Sequence, residues 1–184
     1  MTCIVGFVDK KNKKVIIGGD SAGVSGFDLT VRKDPKVFKV KDFIIGGTTS
    51  FRMLQILRFK FNPPEIDDKE LYEYMCTDFI DSVREVFKEN GFEKKYSSGD
   101  ELGGCFLVGY KDRLFMVEDD FQVSETIRGF DAVGCGATYA LGSIYSDNDN
   151  VDYITSSRNK VKKSLLAAEF FSSGVRSPFV IIET

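Results

Sequence analysis

"TCIVGFVDKKNKKVIIGGDS", residues 2–21, sets two apolar, β-branched runs on either side of a lysine-rich polar segment. β-Branched and aromatic side chains fit a pleated surface and "DKKNKK" (9–14) supplies the reversal, so the stretch reads as an antiparallel hairpin. Thr2 then stands at the first residue of one strand and Asp20 at the end of the other. A hairpin brings its two ends together, and that alone predicts Asp20 beside Thr2.

Outward from the hairpin, the glycine-rich residues 21–35 read as a loop. The glycines of "GGDSAGVSG" (18–26) lack the Lys-Ser/Thr ending of a phosphate-binding motif and are better explained as a bend beside a substrate cleft. "KVFKV" (36–40) and "DFIIGG" (42–47) form a second strand pair turning at Lys41 and Asp42, with Pro35 at the boundary because it cannot donate to a ladder. Phe51, Leu54, Leu57 and Phe61 recur at helical spacing over 50–61, and "NPP" stops that helix. A longer amphipathic helix over 67–91 opens on acids, carries Leu71, Met75, Phe79, Val83, Val86 and Phe87 on one face, and ends at Gly91. Residues 93–104 are polar and read as a loop. "CFLVGY", "RLFMVED" and "FQVSE" then make a three-stranded meander. Residues 130–145 read as a strand, a glycine turn and a small-residue helix. The acidic stretch 146–157 reads as a loop with Thr155 or a nearby serine capping the helix of 158–171, and "PFVIIE" (178–183) is the last strand. Two strand groups with accompanying helices predict an α+β protein, two antiparallel sheets packed face to face, in one domain spanning 1–184.

Composition removes several functions. The net charge is -3 with acids and bases interspersed, so there is no basic stripe for nucleic acid. The four cysteines are widely spaced without a CxxC pair, as expected of reduced thiols. No apolar run could cross a bilayer and no signal-peptide plan is visible, so the expected location is cytoplasmic, away from membranes. The sequence contains no histidine. A Ser-His or Cys-His mechanism would therefore need an imidazole from another chain, the common His-based metal sites are excluded, and no metal or cofactor is expected.

A hydrolase without imidazole needs another base. Threonine is small enough to permit removal of the preceding methionine, and Thr2 would then hold both a hydroxyl nucleophile and a free α-amine. An α-amine titrates near ~8 and can take the hydroxyl proton directly or through a water. Asp20 and the ammonium of Lys36, which begins the third strand, are candidates to orient the hydroxyl and to lower the energy of a developing alkoxide.

"MTCIVGF", "IIGGDSAGVSG", "DPKVF" and "VGCGATYALGS" together resemble the proteasome β-type branch of the N-terminal nucleophile hydrolases, especially the small proteasome-like proteins of bacteria and phages. The likeness runs from Thr2 to the final strand. It implies a four-layer αββα sandwich and peptide-bond hydrolysis by a threonine-type peptidase. Thr2 matches the nucleophile, Asp20 the acid after the second strand and Lys36 the lysine of the third. It places the oxyanion donor, a backbone N–H, around Thr48, Thr49 and Ser50, where Ser50 replaces a common glycine. The family's Gly-Ser-Gly turn, whose serine binds the terminal amine, is Gly134-Cys135-Gly136 here, and a thiol donates more weakly than a hydroxyl. A second acid expected before the last strand is missing, with only Ser172 or Ser173 near its place. The resemblance also implies peptide or unfolded-protein substrates and self-association into a ring or related assembly, with any unfoldase partner unidentified.

Two alternatives stand beside the peptidase: an N-terminal nucleophile amidase acting on a small amide, and a catalytically silent proteasome-like scaffold that keeps Met1. Residue by residue there are plainer readings too. Asp20 alone could be a turn acid and Lys36 an edge-strand gatekeeper, while Cys3, Cys76 and Cys105 are core thiols by default. Only Cys135 is placed near the site.

Overall fold

The computed structural model describes residues 1–92, 94–96, 99–101, 104–148 and 156–184. In chain order its elements are β1 (Ile4–Asp9), β2 (Lys14–Gly19), β3 (Ala22–Ser25), β4 (Asp28–Val31), β5 (Val37–Val40), β6 (Phe43–Gly47), α1 (Phe51–Phe59), α2 (Leu71–Tyr74), a π-helical turn (Met75–Phe79), α3 (Ile80–Glu89), β7 (Lys94–Tyr96), β8 (Gly99–Glu101), β9 (Phe106–Tyr110), β10 (Arg113–Val117), β11 (Val123–Glu125), β12 (Phe130–Val133), α4 (Ala137–Asn148), α5 (Ser157–Phe171) and β13 (Val180–Glu183).

Two antiparallel sheets organise these elements, one in the order β12-β1-β2-β13 and the other β11-β10-β9-β6-β5. Strand alternation separates the interior into three cores. On β5 and β6, Val37 and Ile44 face the other sheet whereas Phe38, Val40, Phe43 and Ile45 face α1 and the α2–α3 helix. On β1 and β2, Ile4, Val15 and Ile17 face inward whereas Val5, Phe7 and Ile16 meet α4 and α5. Because strand side chains alternate in direction, every central strand is buried on both faces, and three apolar layers hold four structural layers together. The α+β sandwich expected above is the observed fold.

The structure differs from the sequence reading in its details. β1 begins at Ile4, so Thr2 lies two residues before the strand and not at its first residue. Residues 21–35 are not simply a loop: β3 and β4 pair as a hairpin turning at Gly26, whose φ is 59°. Gly18 and Gly19 belong to β2 itself. The long helix starts at Leu71, capped by the Glu70 carboxylate, and is interrupted by the π-helical turn. Within 93–104, β7 and β8 pair where a loop was expected, while residues 93, 97, 98, 102 and 103 lie outside the described residues. α4 continues through Asn148 into the stretch read as an acidic loop, because Lys163 of α5 pairs with Asp147 at 2.5 Å. Residues 149–155, Thr155 among them, lie outside the described residues; the cap of α5 is Ser156, which accepts from the Asn159 N–H at 3.3 Å.

Candidate active site

The hairpin does most of the positioning. Ile4 pairs with Gly19, and just beyond that register the Asp20 N–H donates to the Cys3 carbonyl at 3.3 Å while the Cys3 N–H donates to Asp20 Oδ1 at 3.0 Å. Asp20 Oδ2 accepts from the Ala22 N–H at 2.8 Å and from the Arg176 N–H at 3.2 Å. Lys36 arrives from the opposite sheet, its carbonyl tied to the Gly47 N–H at 3.1 Å. Its ammonium donates to Thr2 Oγ1 and to Asp20 Oδ1, both at 2.8 Å.

Thr2, Asp20 and Lys36 are all almost fully buried, at 3%, 2% and 2% exposure. A buried lysine is tolerable only when its charge is met, and here the Asp20 carboxylate meets it at 2.8 Å. Burial pulls the Lys36 ammonium below the ordinary lysine value and Asp20 opposes that pull. The same surroundings push the Cys3 thiol up to about 12, by burial first and the Asp20 charge second, so Cys3 is a packed thiol and no nucleophile.

On the other side of Thr2 lies the turn of Gly134, Cys135 and Gly136. The Thr2 N–H donates to Cys135 Sγ at 3.3 Å, and Cys135 Sγ is 3.3 Å from Ser172 Oγ. The Gly136 N–H donates to the Thr2 carbonyl at 3.1 Å. Gly134 has a φ of 100°, and a Cβ there would collide with the Thr2 carbonyl oxygen. Glycine is therefore required both by conformation and by space.

Thr48, Thr49 and Ser50 line the same cleft of about 90 Å³ as Thr2 and Lys36, together with Val24, Phe51 and Leu54. The Thr48 N–H donates to the Cys105 carbonyl at 3.1 Å, and the Ser50 N–H donates to the Thr48 carbonyl at 2.9 Å, closing a three-residue turn at Thr49 with φ 72°. Among the described residues the Thr49 N–H makes no hydrogen bond. The Ser50 side chain is engaged elsewhere, capping α1 by accepting from the Met53 N–H at 3.2 Å. The structure thus brings Thr2, Asp20, Lys36, residues 48–50 and the Gly134–Gly136 turn to one place.

Sequence reading missed several neighbours. Phe51 and Leu54 line the cleft, and the Arg176 backbone completes the Asp20 shell from 156 residues away; Val24, which also lines the cleft, lies in the bend expected beside it. Only Phe51 and Leu54 had a local signal, since they fall on the apolar stripe of α1. Chemically, the arrangement presents a hydroxyl polarised by a buried cation. While Met1 is attached the Thr2 nitrogen is an amide without basicity, and the Thr2 hydroxyl donates to the Met1 carbonyl. No group of three or more potential metal ligands occurs among the described residues, and none of their helices is long and apolar enough to cross a membrane.

Comparison with solved structures places the fold. BPH of Thiobacillus denitrificans, solved in complex with epoxomicin, superposes with a TM-score of 0.79 at 21% identity, covering 98% of this chain and 97% of that one. The chain has the proteasome-like fold. Eukaryotic HslV from Trypanosoma brucei matches with a TM-score of 0.68 at 15% identity over 99% and 98% of the two chains. An Anbu mutant from Hyphomicrobium sp. strain MC1 matches with a TM-score of 0.67 at 16% identity over 100% and 82%. No protein-family model matches the sequence, and neither does any curated protein sequence.

Proposed function

We propose that the protein is a threonine-type N-terminal nucleophile peptidase, active once Met1 is removed and Thr2 carries a free amine. The observation that carries this proposal is the buried Lys36 ammonium held 2.8 Å from both Thr2 Oγ1 and Asp20 Oδ1. Outside a catalytic setting, a buried charge pair aimed at a hydroxyl is an expensive arrangement, whereas an alkoxide developing on that hydroxyl would benefit from a cation already in place.

The freed amine takes the Thr2 hydroxyl proton, directly or through a water, as Oγ1 attacks a peptide carbonyl. The oxyanion is met by a backbone N–H of the 48–50 segment, in which the Thr49 N–H makes no hydrogen bond among the described residues. The protonated amine returns its proton to the leaving amine, leaving an ester on Thr2 that water hydrolyses. Asp20 keeps Lys36 charged and oriented, and Cys135 with Ser172 holds the amine. Substrate lies extended between β3 and the 48–50 segment and is read mainly through its backbone. Peptides or unfolded proteins are the expected substrates, in the cytoplasm, and assembly into a ring of identical subunits would sequester the cleft.

Intact-mass measurement and labelling by a peptide that carries an electrophile test the proposal together. The expected mass lacks one methionine, the adduct maps to Thr2, and Thr2→Ala abolishes it. Full retention of Met1 with no labelling would instead favour the silent scaffold.

A further inference from the structure

The cleft beside Thr2 does not end at Phe51. Phe51 and Leu54 also wall a second cavity of about 280 Å³, bounded further by Arg32, Asp34, Gln55 and Arg58. The two compartments therefore adjoin across one aromatic ring. Lys36 Nζ lies 5.8 Å from the centroid of that ring, and the Arg32 guanidinium lies 3.7 Å from it.

The charges of the second compartment do not cancel. Arg32 donates to the Asp34 carboxylate through Nε at 3.0 and 3.2 Å and through Nη2 at 2.7 Å, so that carboxylate is already claimed. The Asp34 carboxyl is held below the usual range, chiefly by Arg32 and to a lesser degree by the field of Arg58. Arg58, in the last turn of α1, lies 5.0 Å from the Phe59 ring and has no hydrogen-bonding or ionic partner among the described residues. Two guanidiniums face one carboxylate, and the Arg58 charge is left over.

The direction of the peptide follows from the chemistry. A leaving amine must receive its proton from the Thr2 amine, so the leaving segment lies towards Cys135 and Ser172. The acyl segment then runs the other way, past Lys36 and Phe51. We infer that the Arg32–Arg58 compartment is a subsite for an acidic side chain on the acyl side of the scissile bond, with Arg58 as its ionic partner and Phe51 as its floor. The inference rests on the peptidase proposed above and names part of its substrate.

The test uses the processed full-length protein and electrophilic peptides that differ only by Glu, Gln, Lys or Phe at each of the three positions before the electrophile. At one position the Glu probe should label Thr2 about threefold to fivefold faster than its Gln counterpart, the range an exposed ion pair supplies, and the advantage should shrink with added salt. Arg58→Gln should bring the Glu/Gln ratio to about one, and Arg58→Glu should reverse it in favour of Lys. A wild-type ratio of one at every position, fastest labelling by Phe, or a Glu preference that survives Arg58→Gln overturns the subsite while leaving the peptidase intact. If no probe labels Thr2 at all, the peptidase proposal itself fails.

Discussion

Removing the two partners of the buried ion pair should have unequal costs. Asp20 accepts four hydrogen bonds, three of them from the backbone N–H groups of Cys3, Ala22 and Arg176. Among the described residues the Lys36 ammonium hydrogen-bonds only Asp20 and the Thr2 hydroxyl. In Lys36→Met the carboxylate loses its cation but keeps three donors that favour its charged form, so the cost is that of one charge-assisted hydrogen bond, about 1–3 kcal/mol. In Asp20→Asn the ammonium is stranded in a site 2% exposed, and the amide NH₂ must face either Lys36 and Cys3 or Ala22 and Arg176, which are all donors. That variant should lose about 3–5 kcal/mol, the typical cost of breaking a buried pair. In a chain of this size the loss appears as a fall in melting temperature of roughly 6–20 °C. Thermal and urea unfolding of both variants and of the double substitution measure it. The pH dependence carries a sign as well. Lys36 sits below its unfolded value of 10.5, so between the two values the unfolded chain binds more protons and stability rises with pH. Without Asp20 the native value falls further and the window opens at lower pH, so the Asp20→Asn deficit should narrow as pH is raised from neutrality. A deficit no larger than that of Lys36→Met, or one indifferent to alkaline pH, would refute the account of Asp20 as the hub of the site.

Gly134→Ala should cost more than about 2 kcal/mol and abolish probe labelling, since it places a Cβ against the Thr2 carbonyl at a φ of 100°; native stability with full labelling would contradict that packing. Thr49→Gly should raise stability by about 0.5–1 kcal/mol, the relief of a β-branched residue at φ 72° less the extra freedom of glycine when unfolded, as read by urea midpoint. A water-soluble disulfide reagent should modify Cys76 and Cys135 quickly in the native protein, because both are exposed. Cys3, buried and pushed up to about 12, should react only on unfolding, and Cys105, half-buried and also pushed up to about 12, should lag.

What the sequence disclosed followed from how local each signal was. The β1–β2 hairpin was legible because apolar alternation and a polar reversal are both contained within twenty residues, and the proximity of Asp20 to Thr2 came with it. Lys36 is different: it reaches Thr2 from the other sheet, and no periodicity encodes the stacking of one sheet on another, so its position at a strand entry made it only a candidate and the resemblance matched it to a role. The Arg176 N–H was invisible for the same reason. The β3–β4 hairpin was misread because β4 is exposed at every position, leaving no buried face to impose alternation. The acidic end of α4 was misread because a helix face turned to solvent and neutralised across space by Lys163 has the composition of a loop.

The placing of Lys36 has its own physical cause in the core between the sheets. Gly19 on β2 and Gly46 on β6 stand where the sheets approach: a Cβ at Gly19 would lie 2.6 Å from Val37 Cγ2 and 2.7 Å from Ile4 Cδ1, and one at Gly46 would lie 2.8 Å from Ile4 Cγ2. Both distances to Ile4 are far below ordinary contact, so side chains there would have to push the sheets apart or force their neighbours off rotamer. Ile4 is two residues from Thr2, and Val37 follows Lys36 directly. The contacts that close the inter-sheet core therefore also set the span between the Lys36 ammonium and the Thr2 hydroxyl. A 2.8 Å hydrogen bond across two sheets survives only if that span is fixed to a few tenths of an ångström, and a close-packed apolar layer is stiff enough to fix it. Reactive geometry at the edge is in this way a consequence of apolar packing one residue deeper.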